Sequence, residues 1–518
     1  PMADRFVKGT LILTAAGLMV KILASVNRIF LSRLLGGEGI GLYQLAYPLY
    51  NLLVGIVAAG IPAAMSLIVA RYAAQKEWGS VRRVVTVSFP FLVFLGLAVS
   101  LAAYGLIPCL FSAGLIKDER AFVPMLFCVP ALFLTVPLAG LRGYFQGFQE
   151  MRPTALSQIL EQFFRVAFML VLSVWLLPKG LAMAAGGAIF GAAPGALIGL
   201  LFLLFCYRRQ QHAWKREGRD LTLKEPISVP FILRELVSLA LPVTLSTLMI
   251  PLVGLVEIIL VPDRLLAAGF TVAASTTALG YLTGMAMPLV NMGTIPTNSL
   301  AWSTVPAISE AHALGDCDAV RNKARTALRI LILFTFPAAV GMYLLGTPVS
   351  QVLYGMKAAG PVVSALAPSV FFLGLHQVTA AILQGLGRPK IPMVNMFLGL
   401  AVKVGVLWVL AAQPRWNVIG AALATDLGLA LSAMMNLAAA YRLERIVLPV
   451  KTFLRALLAS LLMGGAVLWV NRTLLVKLGL VTSTLGAVGA GALFYGLLLL
   501  VLREVPFHVL KKKRRHHG

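Results

Sequence analysis

Residues 84–108 read VVTVSFPFLVFLGLAVSLAAYGLIP, and not one residue of this stretch is charged. About 20 consecutive apolar residues are enough to cross the hydrocarbon core of a bilayer as a helix. The whole chain shares this character: 59% of its 518 residues are hydrophobic, 12% are charged, and the mean hydropathy is +0.89. A water-soluble core of this length cannot hide so much apolar surface. The composition therefore excludes soluble enzymes, secreted scaffolds and disordered proteins, and predicts an all-α polytopic membrane protein.

Apolar windows of this kind recur along the chain and predict about fourteen transmembrane helices. They cover residues 9–31, 40–70, 84–108, 121–141, 154–177, 181–206, 232–260, 272–300, 326–346, 362–384, 392–412, 417–441, 454–471 and 479–502. The first of them has no small-residue cleavage site, so we expect an uncleaved helix and not a signal peptide.

The charge is strongly positive, with 44 Lys and Arg against 19 Asp and Glu and a net charge of +25. Because basic residues accumulate in cytoplasmic loops, this excess indicates orientation in a membrane and not a nucleic-acid partner. With the N-terminus inside, the predicted cytoplasmic segments hold 31 of the 44 basic residues and the opposite loops hold 9. We therefore expect a multi-pass protein of the cytoplasmic membrane with both termini in the cytoplasm.

Short motifs of the first half recur in the second half in the same order. The pairs are Pro48 and Pro288, Pro62 and Pro306, Arg82 and Arg321, and Gly147 and Gly385, at offsets of 238 to 244 residues. Such a series indicates an internal repeat. Because each repeat holds an even number of spans, both have the same orientation, and we expect a parallel pseudo-twofold pair of six-helix lobes around a central cavity.

The repeat also predicts the domain boundaries. An N-lobe covers 1–206, a cytoplasmic linker 207–231, a C-lobe 232–441, two extra C-terminal helices 442–502 and a basic cytoplasmic tail 503–518.

Two stretches carry a family resemblance: FVKGTLILTAAGLMVKILASVNRIFLSRLLGGEGIGLYQLAYP over 6–48 and LRGYFQGFQEMRPTALSQILEQFFR over 141–165. They resemble the stage V sporulation protein B family, a polysaccharide-transporter branch of the MATE-like (MOP) flippase superfamily that is related to MurJ-type lipid II flippases. The resemblance implies an alternating-access flippase for an undecaprenyl-pyrophosphate-linked, lipid II-like peptidoglycan precursor, serving spore cortex synthesis. A flippase for another lipid-linked polysaccharide stays open as an alternative.

The resemblance to MurJ-type flippases is incomplete in the expected cavity. Those flippases carry basic residues on helices 1, 2 and 8, and this chain matches them only on helix 1. Helices 2 and 8 offer Asn51, Asn291 and Asn298 instead. Amide side chains lower the positive potential and suit neutral hydrogen bonds to sugars.

Charged residues inside predicted spans are functional candidates, because a charge in the membrane is costly. Lys21 and Arg28 lie two turns apart on one face of helix 1 and suit a pyrophosphate group, although Arg28 can also extend to the outer interface. Glu161 and Arg165 are four residues apart on helix 5, as a structural ion pair or as part of the substrate path. Lys403 occupies the position in helix 11 that Arg165 occupies in helix 5, which favours a cavity role for both.

Three further residues are candidates for ion coupling or for packing. Glu257 is either a cation or proton site or a plain interfacial carboxylate. Asp426 is either a coupling carboxylate or the counter-charge of Lys403. His376 is expected in a helix contact more than in a proton relay.

No enzyme motif appears: Walker A, HExxH and GxSxG patterns are all absent from the sequence. The four cysteines have no metal-binding spacing, so we expect no metal and no cofactor. The expected partners are a lipid-linked sugar pyrophosphate, membrane lipids and, as candidates, cell-wall synthesis enzymes. A cation-coupled exporter of drugs or organic cations and a non-transporting scaffold are the competing hypotheses.

Overall fold

A computed structural model describes residues 2–222, 227–502 and 504. All predicted spans are helical, and this described part of the chain contains no β-strand. Ten of its helices are long and apolar enough to cross a membrane, or eleven if a bent pair over 357–385 forms one span. The all-α polytopic fold is thus confirmed, whereas the number of fourteen spans stays a prediction.

Contacts divide the chain into two compact units, which we call the N-terminal unit (Pro1–Pro262 and Val272–Gly280) and the C-terminal unit (Asp263–Thr271 and Tyr281–Gly518). The N-terminal unit contains α1 (Met2–Ala58), α2 (Ile61–Ala74), α3 (Trp78–Ser112), α4 (Phe122–Phe127), α5 (Val129–Gly147), α6 (Met151–Leu176), α7 (Leu181–Phe190), α8 (Ala192–Arg216), α9 (Val229–Thr247), most of α10 (Met249–Ala267) and α11 (Val272–Leu279).

The C-terminal unit includes the end of α10 and, after α11, all but the first residue of a π-helix at 280–286. It continues with α12 (Met287–Gly293), α13 (Ile295–Ala313), α14 (Cys317–Tyr354), α15 (Gly360–Ala365), α16 (Pro368–Gly385), α17 (Lys390–Leu410), α18 (Asn417–Glu444), α19 (Val450–Leu478) and α20 (Leu480–Val501). The contacts group α9, most of α10 and α11 with the N-terminal helices, whereas the repeat in the sequence assigns these helices to the C-lobe. The first ten residues of the predicted linker continue α8 as a helix.

Six predicted spans are interrupted in the structure. Those over 121–141, 181–206 and 362–384 break between α4 and α5, between α7 and α8, and between α15 and α16. The span 40–70 breaks between α1 and α2, where Gly60 lies so close to Ala240 that a Cβ would meet its carbonyl oxygen at 2.0 Å. The span 232–260 breaks between α9 and α10, and 272–300 is interrupted by the π-helix and again at Thr294. Pro62, Pro251 and Pro296 each open the helix that follows a break, because proline at the start of a helix loses no internal hydrogen bond.

A row of glycines on α7, on α8 and at the residue between them allows the backbone of α6 to approach closely. A Cβ at Gly191 would lie 2.9 Å from the carbonyl oxygen of Arg165, and one at Gly195 would lie 2.7 Å from that of Glu161. The row continues at Gly187 and Gly199, at four-residue spacing along the same face. Small residues of this kind let helices pack tightly where no hydrophobic force drives them together.

Equivalent contacts occur in both units. Gly147 of α5 packs against Val69 of α2, and Gly385 of α16 packs against Ile308 of α13. The glycines are 238 residues apart and their partners 239 residues apart. These matched contacts support the repeat predicted from the sequence.

The two extra C-terminal helices pack against α14 through an apolar cluster that includes Met463 and Tyr495. Beyond α20, the buried carboxylate of Glu504 receives Arg329 of α14 at 2.9 Å and Arg455 of α19 at 3.0 Å. One carboxylate thereby ties the end of α20 to two other helices.

A buried carboxylate also secures the loop between α3 and α4. Asp118, 4% exposed, accepts hydrogen bonds from Arg120 Nε at 2.9 Å and from Thr276 Oγ1 of α11 at 2.7 Å. Arg120 also pairs with Glu38 at 2.6 Å. Burial alone raises the pKa of the Asp118 carboxyl, but the hydrogen bonds from Arg120 and Thr276 outweigh it, and the pKa lies below its usual value.

The glycine row generates a stability prediction. Gly195→Ala forces a methyl group against the backbone of α6 and should lower the free energy of unfolding by about 1–3 kcal/mol. Gly105→Ala is the control, since a Cβ there meets nothing within 4 Å. Thermal unfolding in detergent, followed by size-exclusion chromatography, measures both. Equal unfolding temperatures for the two variants would show that the α6–α8 contact is not tight.

The Asp118 contacts generate a second prediction. Thr276→Val removes a hydrogen bond to a carboxylate and should cost about 1.5–3 kcal/mol of unfolding free energy at pH 7. Thr277→Val is the matched control on the same helix, because its hydroxyl donates to the carbonyl group of Ala273 within α11.

The sign of the pH dependence follows from the lowered pKa of Asp118. The contribution of Asp118 to the free energy of unfolding is complete above the usual carboxyl pKa of about 3.9. It is lost as the pH falls through the lower pKa of the folded state. The unfolding temperature of the wild type should therefore drop on acidification, and Asp118→Asn should flatten that drop. An unchanged slope in Asp118→Asn would refute this assignment.

Candidate functional site

A kink at Gly36 brings two parts of α1 side by side. Gly36 has φ of 67°, a conformation that glycine adopts without strain. Arg28 and Gln44, 16 residues apart, would be separated by about 24 Å in a straight helix. Instead Arg28 Nη1 donates a hydrogen bond of 2.8 Å to Gln44 Oε1. The same guanidinium lies 5.5 Å from the ring centre of Tyr43 and 5.7 Å from that of Tyr47.

Three tyrosines form a row on the face of α1 that follows this kink. Tyr43 stacks on Tyr47 with ring centres 5.4 Å apart, and Tyr50 follows Tyr47 at 6.3 Å. Tyr43 and Tyr50 are buried and Tyr47 is half-buried. Arg165 of α6 interacts electrostatically with all three, and Tyr43 interacts with Arg28 as well. The tyrosine row therefore connects the two arginines.

The carboxylate of Glu161 holds two arginines at once. Its Oε1 accepts a hydrogen bond from Arg165 Nη2 and its Oε2 accepts one from Arg142 Nη2, each at 2.7 Å. Arg142 Nε also donates to Ser157 at 3.1 Å. The three charged side chains are 13 to 18% exposed. Nε of Arg165 is buried and has no hydrogen-bond partner among the described residues.

The arginine cluster, defined here as Arg28, Arg142, Glu161 and Arg165, carries three positive charges and one negative charge. Excess positive charge inside an apolar bundle is stabilised when an anion enters it. Arginine forks match phosphate oxygens in geometry, and the adjoining tyrosines offer hydroxyl groups and ring faces. The cluster is therefore suited chemically to an anion with more than one negative charge.

The C-terminal unit holds its own intramembrane charges. Lys403 of α17 is 7% exposed, and Gly428 of α18 makes room for it, since a Cβ there would lie 2.9 Å from Lys403 Cβ. Asp426 is buried on α18, and its Oδ1 accepts a hydrogen bond from Ser369 of α16. Its Oδ2 is buried and has no hydrogen-bond partner in the described part of the chain.

His376 lies in a network that joins three helices. Its Nδ1 is 2.9 Å from Ser432 Oγ and 3.2 Å from Asn436 Nδ2, both on α18. Asn436 Oδ1 in turn accepts a hydrogen bond of 2.8 Å from Asn395 of α17. This geometry agrees with the expected helix contact.

The family follows from two comparisons with known proteins. The family described as "Polysaccharide biosynthesis protein" matches residues 6–312, more than half of the chain. Stage V sporulation protein B of Bacillus subtilis (strain 168) is 30% identical over 507 residues, which cover 98% of this chain and 97% of the relative. The chain belongs to the stage V sporulation protein B family. Its family and the apolar helices of the described residues make it a multi-pass membrane protein.

A second family model and a further relative also match this member of the sporulation protein family. The family described as "MatE" matches residues 266–409. The lipid II flippase MurJ of Bacillus subtilis (strain 168) is 28% identical over 442 residues, covering 82% of this chain and 81% of the relative.

Solved structures share the fold of this family member. A lipid II flippase MurJ in an inward closed conformation aligns with a TM-score of 0.71 and 14% identity, covering 96% of this chain and 99% of that one. An inward-facing multidrug resistance MATE transporter of the MOP superfamily aligns with a TM-score of 0.67 and 17% identity, covering 83% and 97%.

The structure distributes the predicted site residues of this family member between the two units. In the N-terminal unit, Arg28 and Arg165 meet at the tyrosine row, and Glu161 pairs with Arg165. Half-buried Asn51 follows Tyr50 on α1, and half-buried Glu257 lies on α10. The remaining predicted residues are Lys403, Asp426 and exposed Asn291 in the C-terminal unit. Lys21 lies within α1, but its side chain falls outside those described.

Sequence reasoning missed Arg142 and the tyrosines. The apolar window ends at residue 141, which placed Arg142 in a cytoplasmic loop, whereas α5 continues to Gly147 and directs Arg142 to Glu161. The helix continues because residues 142–147 lack a proline and pack against α2. The spacing of Tyr43, Tyr47 and Tyr50 was the available signal, since it places three hydroxyl groups on one helix face.

Proposed function

We propose that this membrane protein is a flippase that moves an undecaprenyl-pyrophosphate-linked, lipid II-like peptidoglycan precursor across the cytoplasmic membrane by alternating access. The observation that carries the proposal is the arginine cluster, with its net positive charge among membrane-spanning helices. The pyrophosphate group brings the negative charges that this cluster lacks. The polyprenyl chain would stay in the lipid phase, so only the polar head needs a protein path.

The neighbouring groups support a sugar-bearing head. Tyr47 is half-buried beside Arg28, and Asn51 lies one turn further along the same helix. Hydroxyl and amide groups bind sugar hydroxyls, and an aromatic ring packs against the apolar face of a sugar. These groups fit a glycan better than they fit a simple phospholipid.

The relatives support the physiological part of the proposal. Similarity to stage V sporulation protein B favours service to the spore cortex, and similarity to the lipid II flippase MurJ favours a peptidoglycan precursor. The excess of Lys and Arg in alternate loops favours cytoplasmic termini. Another lipid-linked polysaccharide is the nearest alternative cargo.

A transport assay tests the role of the basic residues. Proteoliposomes containing lipid II should show translocation by the wild type, with and without an imposed membrane potential as separate arms. Arg28→Gln and Lys21→Ala should each lower the rate by about tenfold or more, because each removes a charge-assisted contact of about 1.5–3 kcal/mol.

The control for these variants is Arg33→Gln, an exposed arginine on the same helix. It should transport at the wild-type rate. Normal transport by both Arg28→Gln and Lys21→Ala would remove the basic site from the mechanism. Failure of the wild type with lipid II, but success with another lipid-linked sugar, would correct the cargo and keep the fold and the site.

Two observations favour a second candidate function, export of organic cations coupled to an ion. The region 266–409 matches the MatE family, and Asp426 presents a buried carboxylate oxygen without a hydrogen-bond partner among the described residues. The arginine cluster opposes this function, since it repels cationic drugs. The same Asp426 carboxylate is compatible with a flippase that takes up a proton or cation during its cycle.

Substitution of Asp426 separates coupling from binding. Asp426→Asn should keep transport down a substrate gradient. The increase in transport rate caused by an imposed proton or sodium gradient should fall about tenfold, because an amide cannot take up the ion. Asp318→Asn, 87% exposed at the start of α14, is the control and should respond as the wild type does. Full stimulation of Asp426→Asn would exclude this carboxylate from coupling.

A further inference from the structure

Glu161 is placed between two arginines at different depths of the N-terminal unit. Arg142 lies about 7 Å from the end of α5, whereas Glu161 and Arg165 lie about 15 and 21 Å from the start of α6. The three-residue turn 148–150 joins these two helix ends, so all three depths are measured from the same end of the bundle. The order from that end is Arg142, Glu161, Arg165.

The series continues toward the other end of the bundle. Tyr50 and Tyr47 link Arg165 to Arg28, and Arg28 lies about 12 Å from the kink at Gly36 on the opposite side. Guanidinium groups and tyrosines thus occur at successive levels through the unit. Each level therefore offers a positively charged or hydrogen-bonding group to an anion.

The pairing at Glu161 leaves the arginines incompletely satisfied. Each carboxylate oxygen holds one guanidinium nitrogen, two positive charges share one negative charge, and Arg165 Nε has no hydrogen-bond partner in the described chain. A purely structural ion pair needs equal charges and satisfied donors to offset its burial. A carboxylate and a phosphate compete for the same arginine fork.

We propose that Glu161 is a built-in counter-ion that the pyrophosphate of the cargo displaces, with Arg142 as the first and Arg165 as the second site that the anion occupies. This inference rests on the proposed function and assigns to it an entry residue and an internal competitor. Glu161 neutralises part of the charge of the two arginines while the unit is empty. Its carboxylate re-forms the pairs when the anion moves on, which promotes release.

The proposal makes an uncommon prediction for Glu161→Gln. Removing the competitor should tighten anion binding, whereas loss of a structural ion pair should only lower stability. We expect the Kd for inorganic diphosphate to fall about tenfold in Glu161→Gln and to rise about tenfold in Arg142→Gln. Isothermal titration of the purified full-length protein in detergent measures both, and a micelle-borne geranyl diphosphate arm distinguishes a lipid-linked diphosphate from the free anion.

The matched control is Glu235→Gln, which breaks another arginine–glutamate pair of the same unit, Arg71 with Glu235. Its diphosphate affinity should equal that of the wild type. The double variant Glu161→Gln with Arg142→Gln restores the charge balance around Arg165 and should return both affinity and unfolding temperature toward wild-type values. This variant keeps the test informative if Glu161→Gln alone unfolds.

Transport kinetics provide a separate readout. With lipid II as cargo, Glu161→Gln should lower KM and kcat together, because the anion binds more tightly and leaves more slowly. Arg142→Gln should raise KM with little change in kcat. An unchanged or higher Kd in Glu161→Gln, or a double variant that binds diphosphate no more tightly than Arg142→Gln alone, would overturn the inference. Tighter binding without lipid II transport would instead refute the proposed cargo and leave the counter-ion intact.

Discussion

The close contact between α6 and the glycine row is the constraint on which the site depends. Helices in an apolar environment gain little from hydrophobic burial against each other, so their positions follow from how closely their backbones can approach. Gly191 and Gly195 lie against the carbonyl groups of Arg165 and Glu161 themselves. This contact fixes the position of α6, whose Glu161 pairs with Arg142 of α5 and whose Arg165 lies near the tyrosines of α1.

Electrostatics then determine which side chains are tolerated at that face. A guanidinium in a bilayer is costly unless it finds a carboxylate, an aromatic ring or an amide. The structure supplies one of each: Glu161 for Arg165, the rings of Tyr43 and Tyr47 for Arg28, and the amide of Gln44 for the same residue. These partners are sufficient to retain the charges and insufficient to neutralise them.

Much of this architecture is predictable from the sequence, because long apolar runs and the Lys/Arg asymmetry report directly on the membrane environment. The Glu161–Arg165 pair is also predictable, since it depends only on helical spacing. The interruption at Gly60 is not, because it depends on the close approach of Ala240 in α9, which no apolar window records. The role of Arg142 was not predicted for a related reason. Hydropathy marks where the apolar residues end, whereas α5 continues beyond that point and brings Arg142 to Glu161.

The three-residue turn between α5 and α6 has a consequence for how the protein enters the membrane during synthesis. Alone, α6 would present Glu161 and Arg165 to lipid, and translocon scales assign about 2.5–3.5 kcal/mol to a charge at the centre of a span. Arg142 can pair with the Glu161 carboxylate, and so lower the cost of its charge, only when α5 lies beside α6. The two helices therefore favour joint release from the insertion machinery as a hairpin, so the ion pairs that organise the mature site also determine its order of assembly.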